Sequence, residues 1–303
     1  MTIDYRHGIS ILELIVYSPT LFLALWMALH HGFKRSSGWF FFILFCLARI
    51  VGAACYLATI HHASDVDLYI TWAVCTSLGL SPLLLACIGL LSRANDSIMR
   101  KTAKALPLAV FRLVGLFALV GVILSVVGAT KNSNIAHGLV TTETKVGLIF
   151  YLVAWIGVCG LFLLLLKRTE SIEDGEHRLL LAVGVSLPLI LVRLTYSFIY
   201  NFGQNAEFNM LSGNVTIQLV MSVLQELLVV LVCLGIGLTL QVRPAAEYTQ
   251  QSSVYRGEQN SMEPESGHLQ GQTRGRAQNP KRRGGPITGL IMSIVDEVNT
   301  RRQ

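Results

Sequence analysis

Charge is scarce in this chain. Only 14% of its 303 residues are Asp, Glu, Lys or Arg, against about 25% in soluble domains. No glycine loop that would cradle a phosphate is present, nor HExxH, GxSxG or an aspartate-rich DDxxD-type segment. Those absences exclude the familiar routes to phosphoryl transfer, zinc hydrolysis, serine hydrolysis and magnesium-assisted loss of diphosphate. Six cysteines occur (Cys46, Cys55, Cys75, Cys87, Cys159, Cys233), none in CxxC or metal-ligand spacing. They read as small apolar packing residues. No metal and no cofactor is expected.

In place of charge there are apolar blocks of about 20 residues, the length that spans about 30 Å of hydrocarbon. We place seven spans at roughly 9–30, 38–60, 68–92, 107–129, 146–166, 179–200 and 215–240. Runs this long and uniform predict helices rather than barrel strands. The expected fold class is therefore all-α, a polytopic seven-helix membrane bundle occupying residues 1–243. The first span lacks a basic n-region and reads as a retained signal anchor.

The basic residues sort by side. Of the 24 Lys and Arg, 18 fall in the loops after spans 1, 3 and 5 and in the C-terminal tail, and three in the N-terminus and the other loops. The positive-inside rule then puts the N-terminus outside or lumenal and the C-terminus in the cytosol. The net charge of +6 thus reflects topology and gives no reason to expect nucleic acid. The endoplasmic reticulum is the expected membrane, the plasma membrane the alternative. In the tail, 244–285 is rich in Gln, Ser, Gly, Glu and Arg and reads as a disordered linker. Residues 286–303 carry Ile287, Leu290, Ile291, Ile294, Val295 and Val298 at helical spacing behind Lys281-Arg282-Arg283, a possible short amphipathic helix on the cytosolic leaflet.

The loop segments read plainly. His30 and His31 belong to a basic turn ending at Trp39, an ordinary interfacial anchor. His61, His62, Asp65 and Asp67 could hold a metal but read as a solvated loop, as do the alternating charges of 167–178. Pro19 and Ser81-Pro82 predict kinks. Spans 4 and 5 are spotted with glycine, which suits close packing.

Four charges lie deep inside spans: Glu13, Arg49, Arg193 and Glu226. An ion in hydrocarbon costs about 3 kcal/mol even on insertion scales, so each needs a partner, water or a ligand. Counting 1.5 Å per residue puts all four in the outer half of the membrane or near its midplane. Tyr17 shares a helix face with Glu13, and Tyr196 and Tyr200 with Arg193. Asn214, Gln218, Ser222, Gln225 and Glu226 make the last span the most polar. Two carboxylates and two guanidiniums balance. They read either as two salt bridges holding helices together or as an outward-opening polar cavity. In the second case a carboxylic acid in an apolar site could stay protonated and donate.

Several segments carry a resemblance: the run from His31 through Gly32, Phe33, Lys34, Arg35, Ser36, Ser37 and Gly38 to Trp39; Ala48-Arg49-Ile50-Val51-Gly52; Leu57-Ala58-Thr59-Ile60; and Leu211-Ser212-Gly213-Asn214-Val215-Thr216-Ile217-Gln218 continuing to Gln225-Glu226. Over about 5–240 these look like a fungal family of seven-helix integral membrane proteins with a domain of unknown function. In size and architecture the chain is also similar to the membrane-bound terpene cyclases of meroterpenoid pathways, of the macrophorin and ascofuranone type. That resemblance implies cyclisation of a prenyl or epoxy-prenyl chain, started by protonation, in secondary-metabolite biosynthesis. The substrate would be a prenylated small molecule dissolved in the bilayer. On this reading Glu226 is the candidate acid and Glu13 the second. Arg49, Arg193, Tyr17, Tyr196, Tyr200, Gln218 and Ser222 would bind substrate, with tyrosine faces steadying a moving cation. A receptor-like sensor and a transporter of lipid or small molecules are the alternatives.

Overall fold

The computed structural model describes residues 4–30, 38–62, 65–102, 105–131, 141–172, 175–203, 206–208 and 213–240. The 31–37 turn and both tail segments, 244–285 and 286–303, lie outside them. The described residues contain no strand. The helices are α1 (Tyr5–His30), α2 (Trp39–Ala58), α3 (Val66–Ser77), α4 (Leu80–Thr102), α5 (Leu108–Lys131), α6 (Thr142–Leu166), α7 (His177–Phe202), α8 (Val215–Gln218) and α9 (Leu224–Leu238). Together α3 and α4 make one span, and α8, a π-turn at Leu219–Val223, and α9 make another. Seven spans long and apolar enough to cross a membrane result. This is a multi-pass, seven-helix membrane protein.

Chain order sets the packing order. α1 lies on α2, α2 on α3 and α4, α5 on α4 and α6, α6 on α7, α7 on α9, and α9 returns to α1. α4 fills the middle, touching α2, α5, α6, α7 and α9. Every residue of it from Leu80 to Asn95 is buried, which suits the segment 83–91, apolar all round. The outer helices instead turn large apolar side chains outward, such as Ile15, Phe22, Leu116 and Ile123, an arrangement that suits contact with lipid. Glycine brings α5 and α6 together: a Cβ on Gly147 would lie 2.9 Å from the Gly121 carbonyl oxygen and 2.8 Å from Ser125 Oγ.

Two sequence expectations need correction. The third span does not end near 92, and the interruption expected at Ser81-Pro82 lies one turn before the proline, at the carbonyl its ring displaces. The span breaks at Leu78–Gly79, and α4 then runs to Thr102. Pro82 therefore sits in the first turn of α4, where its missing N–H costs nothing. Two of the polar residues that argued for a loop after 92, Arg93 and Asn95, are buried and paired. Arg93 Nη2 and Nε donate to Glu176 at 3.0–3.3 Å. The Asn95 amide exchanges two hydrogen bonds with the backbone of Leu106, at 2.8 and 2.9 Å. Glu176 is correspondingly buried, as is Ile172, so the 167–178 loop is not simply solvated. α1 continues through Pro19 and α7 through Pro188 as single helices.

Candidate functional site

Toward the end of the bundle that holds the start of α1, the four deep charges meet. Arg49 Nη1 donates to Glu13 Oε1 at 3.2 Å. Its Nη2 pairs with Glu226 Oε2. On the other side Arg193 Nε donates to Glu226 Oε1 at 2.7 Å. The result is not two separate salt bridges but one chain, Glu13–Arg49–Glu226–Arg193, with Glu226 shared. All four residues are buried, Glu226 to 1% exposure. The charges sum to zero, which makes burial affordable only while every member stays partnered.

Local irregularity builds the site. The α3–α4 break frees carbonyls at the end of α3, and Arg193 Nη2 donates to the Thr76 oxygen at 3.3 Å. Its Nη1 donates to Ser197 Oγ at 2.5 Å, so all three guanidinium nitrogens are engaged. Gly79, in the break, faces the ion chain with no side chain. A Cβ there would lie 2.8 Å from Arg49 Nη2 and 2.9 Å from Glu226 Oε1. In the last span the π-turn precedes Glu226 by a few residues, and Gln225 Nε2 donates back to the Val220 carbonyl at 3.1 Å. Gln225 therefore serves the turn and is only half-buried, whereas Gln218, Ser222 and Glu226 form the buried stripe. Asn214 is the N-cap of α8, accepting from Thr216 N at 3.0 Å. Such π-turns concentrate at functional positions.

Two pockets flank the chain. The larger, about 60 Å³, is lined by Arg193, Tyr196, Ser197, Tyr200 and Asn201 of α7, Thr144, Leu148 and Tyr151 of α6, Ser125 of α5, and Ser77 and Leu80 at the break. Arg193 is its single charged residue. The smaller, about 10 Å³, is lined by Arg6, Ile9, Ser10 and Glu13 of α1, Arg49 and Tyr56 of α2, Trp72, Thr76 and Gln218. Tyr17 lines neither. It is buried one turn from Glu13, edge-on to Phe45 at 5.5 Å, with its hydroxyl unpartnered among the described residues. Arg49 lies over the same Phe45 ring at 5.6 Å, and Arg193 over Tyr196 at 5.7 Å. Ser222 is buried in the π-turn beside Glu226.

The sequence reading passed over two features of this end. Arg6 is buried and donates to the Gly213 carbonyl at 2.6 Å, tying the start of α1 to the start of the last span. Its signal was a stripe at three- and four-residue steps, Arg6, Ser10, Glu13, Tyr17 and Thr20, all buried. The second feature is a recipe used twice. Leu47-Ala48-Arg49-Ile50 is followed by Tyr56, and Leu191-Val192-Arg193-Leu194 by Tyr200, each tyrosine seven residues after its arginine. Each arginine lies nine residues before the end of its helix. Each pocket thus holds one of these two arginines and the tyrosine two turns on, and both arginines grip the same carboxylate.

The profile of one protein family matches residues 3–243, the whole helical part. This chain belongs to the DUF7702 family. The family is described as a domain of unknown function, so membership assigns no activity. No curated protein matches the chain, and no solved structure does.

Proposed function

We propose that this DUF7702 protein is a receptor-like membrane sensor whose ligand is a small anion, of the size of a short carboxylate, held at Arg193. The observation that carries this reading is the larger pocket. It has one guanidinium, seven hydroxyl-bearing residues and no carboxylate. At about 15 Å³ per water, its roughly 60 Å³ suits about four waters or a short carboxylate rather than a prenyl chain. An anion there competes with Glu226 for Arg193. Glu226 keeps Arg49 when Arg193 is drawn away, so the exchange strands no charge. The α3–α4 break and the π-turn meet at that carboxylate and supply the bistable element a sensor needs. With the N-terminus lumenal or extracellular, the pocket samples the non-cytosolic side.

The test is thermal unfolding of the protein in nanodiscs against small carboxylates, inorganic phosphate and neutral polyols. Anions should raise Tm, and Arg193→Gln should abolish the response. No shift with any anion, or a shift that survives Arg193→Gln, overturns the reading.

A protonation-initiated terpene cyclase is the second reading, favoured by the three tyrosines, Tyr151, Tyr196 and Tyr200, that crowd the pocket. Glu226 is held by two arginines and Glu13 by one, which makes Glu13 the better candidate acid. Microsomes given farnesyl-phenols, with and without a terminal epoxide, decide the matter. A cyclised isomer that disappears in Glu13→Gln or Glu226→Gln would replace the sensor with an enzyme.

A further inference from the structure

A more spacious cavity than the Arg193 pocket lies elsewhere, as an open groove of about 350 Å³ among α2, α4 and α5. Its apolar walls include Phe41, Leu85, Ile88 and Leu119, and its polar residues are Ser92 and Arg112. Gly89 and Gly115 contribute no side chain to it. A Cβ on Gly115 would meet only Leu85, at 3.6 Å.

Arg112 decides what fills the groove. It is exposed, four residues into α5, which puts it about 6 Å along the helix. Such a depth matches the boundary between head groups and acyl chains. No carboxylate lines the groove, and Arg112 has no ion-pair partner among the described residues. An arginine at that depth finds its counter-ion in a lipid phosphate. From Arg112 toward Leu119 the groove turns apolar and runs about 10 Å along α5, and an acyl chain fits it. Arg100 and Lys101 at the end of α4 add positive charge on the same side of the bundle, which discriminates against a zwitterionic head group.

We propose that this groove is a site for one anionic glycerophospholipid, its phosphate on Arg112 and an acyl chain against Phe41, Ile88 and Leu119. The site is separate from the Arg193 pocket and does not depend on the function proposed for it.

Native mass spectrometry of the full chain, released from nanodiscs of phosphatidylcholine containing phosphatidylserine or phosphatidylinositol, tests this. The wild type should retain one anionic lipid. Arg112→Gln should lower its retention about fivefold, the worth of one basic residue at a membrane surface. Gly115→Leu, which fills the groove and leaves the charge, should also lower it. Arg178→Gln, a change outside the groove, controls for general loss of charge and should leave retention unchanged. Equal retention in wild type and Arg112→Gln, or preferential retention of phosphatidylcholine, would overturn the proposal. So would unchanged retention in Gly115→Leu, since the acyl chain would then lie elsewhere.

Discussion

Two buried ion-pair systems occupy opposite ends of this bundle, and they differ in how they are closed. Arg93 and Glu176 meet directly, with both Glu176 oxygens engaged by Arg93. Backbone ties surround it: Lys101 Nζ donates to the carbonyls of Glu170 and Ile172 at 3.1 and 3.2 Å. The Glu13–Arg49–Glu226–Arg193 chain has four members and one shared carboxylate, with a pocket at each end. The first system is a lock between α4 and the start of α7. The second can exchange partners, because Glu226 has two. Similar residue types, buried to similar degrees, therefore support different roles.

The largest effect should come from removing the shared member. Glu226→Gln leaves two buried guanidiniums with one carboxylate between them. It should cost about 3–5 kcal/mol, read as the loss of Tm and of folded yield in detergent. Breaking the lock by Glu176→Gln removes the carboxylate that Arg93 grips and should cost a similar amount. The double replacement Arg93→Met with Glu176→Leu should restore most of it, because a buried pair removed whole exchanges well for apolar packing. The matching replacement in the chain, Arg49→Met with Glu226→Leu, leaves Glu13 and Arg193 without their partners and should not recover. Equal recovery at both ends, measured by thermal unfolding, would erase the distinction.

Gly79→Ala comes next. Its Cβ meets Arg49 and Glu226 together, and overpacking of this kind costs about 1–3 kcal/mol. Gly115→Ala, with only Leu85 near, should stay within about 0.5 kcal/mol. The difference between the two alanines reads how tightly the break is fitted to the ion chain. Smallest of all, Tyr200→Phe should change stability by less than about 0.5 kcal/mol yet weaken any anion response, because it removes a hydroxyl from the pocket and keeps the ring.

The spans were legible because membrane hydrocarbon imposes a length and a composition on the sequence. The gathering of Glu13, Arg49, Arg193 and Glu226 at one end followed from depth alone. Partner choice was not legible: depth says that charges lie level, and only the packing order puts Glu226 between two arginines. An interruption of the third span was legible in Ser81-Pro82, but its place at Leu78–Gly79 was not, because a proline acts on the carbonyl four residues before it. The Arg93–Glu176 pair was missed since a polar cluster after an apolar run reads as a loop until a buried partner 83 residues away is known. The π-turn has no composition signature at all. The paired L-x-R spacing was readable, and a comparison of span 2 with span 6 would have found it.

The central claim is that Arg49 and Arg193 share Glu226, and it predicts that the two arginines are energetically coupled through that carboxylate. Thermal unfolding in nanodiscs of the wild type, Arg49→Met, Arg193→Met and the double variant measures that coupling. Either single change leaves Glu226 one partner, whereas the second leaves it a bare buried anion. The account therefore predicts that the double variant loses more than the sum of the singles, by at least about 0.5 kcal/mol. Additive losses would contradict it, and the four charges would then be separate helix ties.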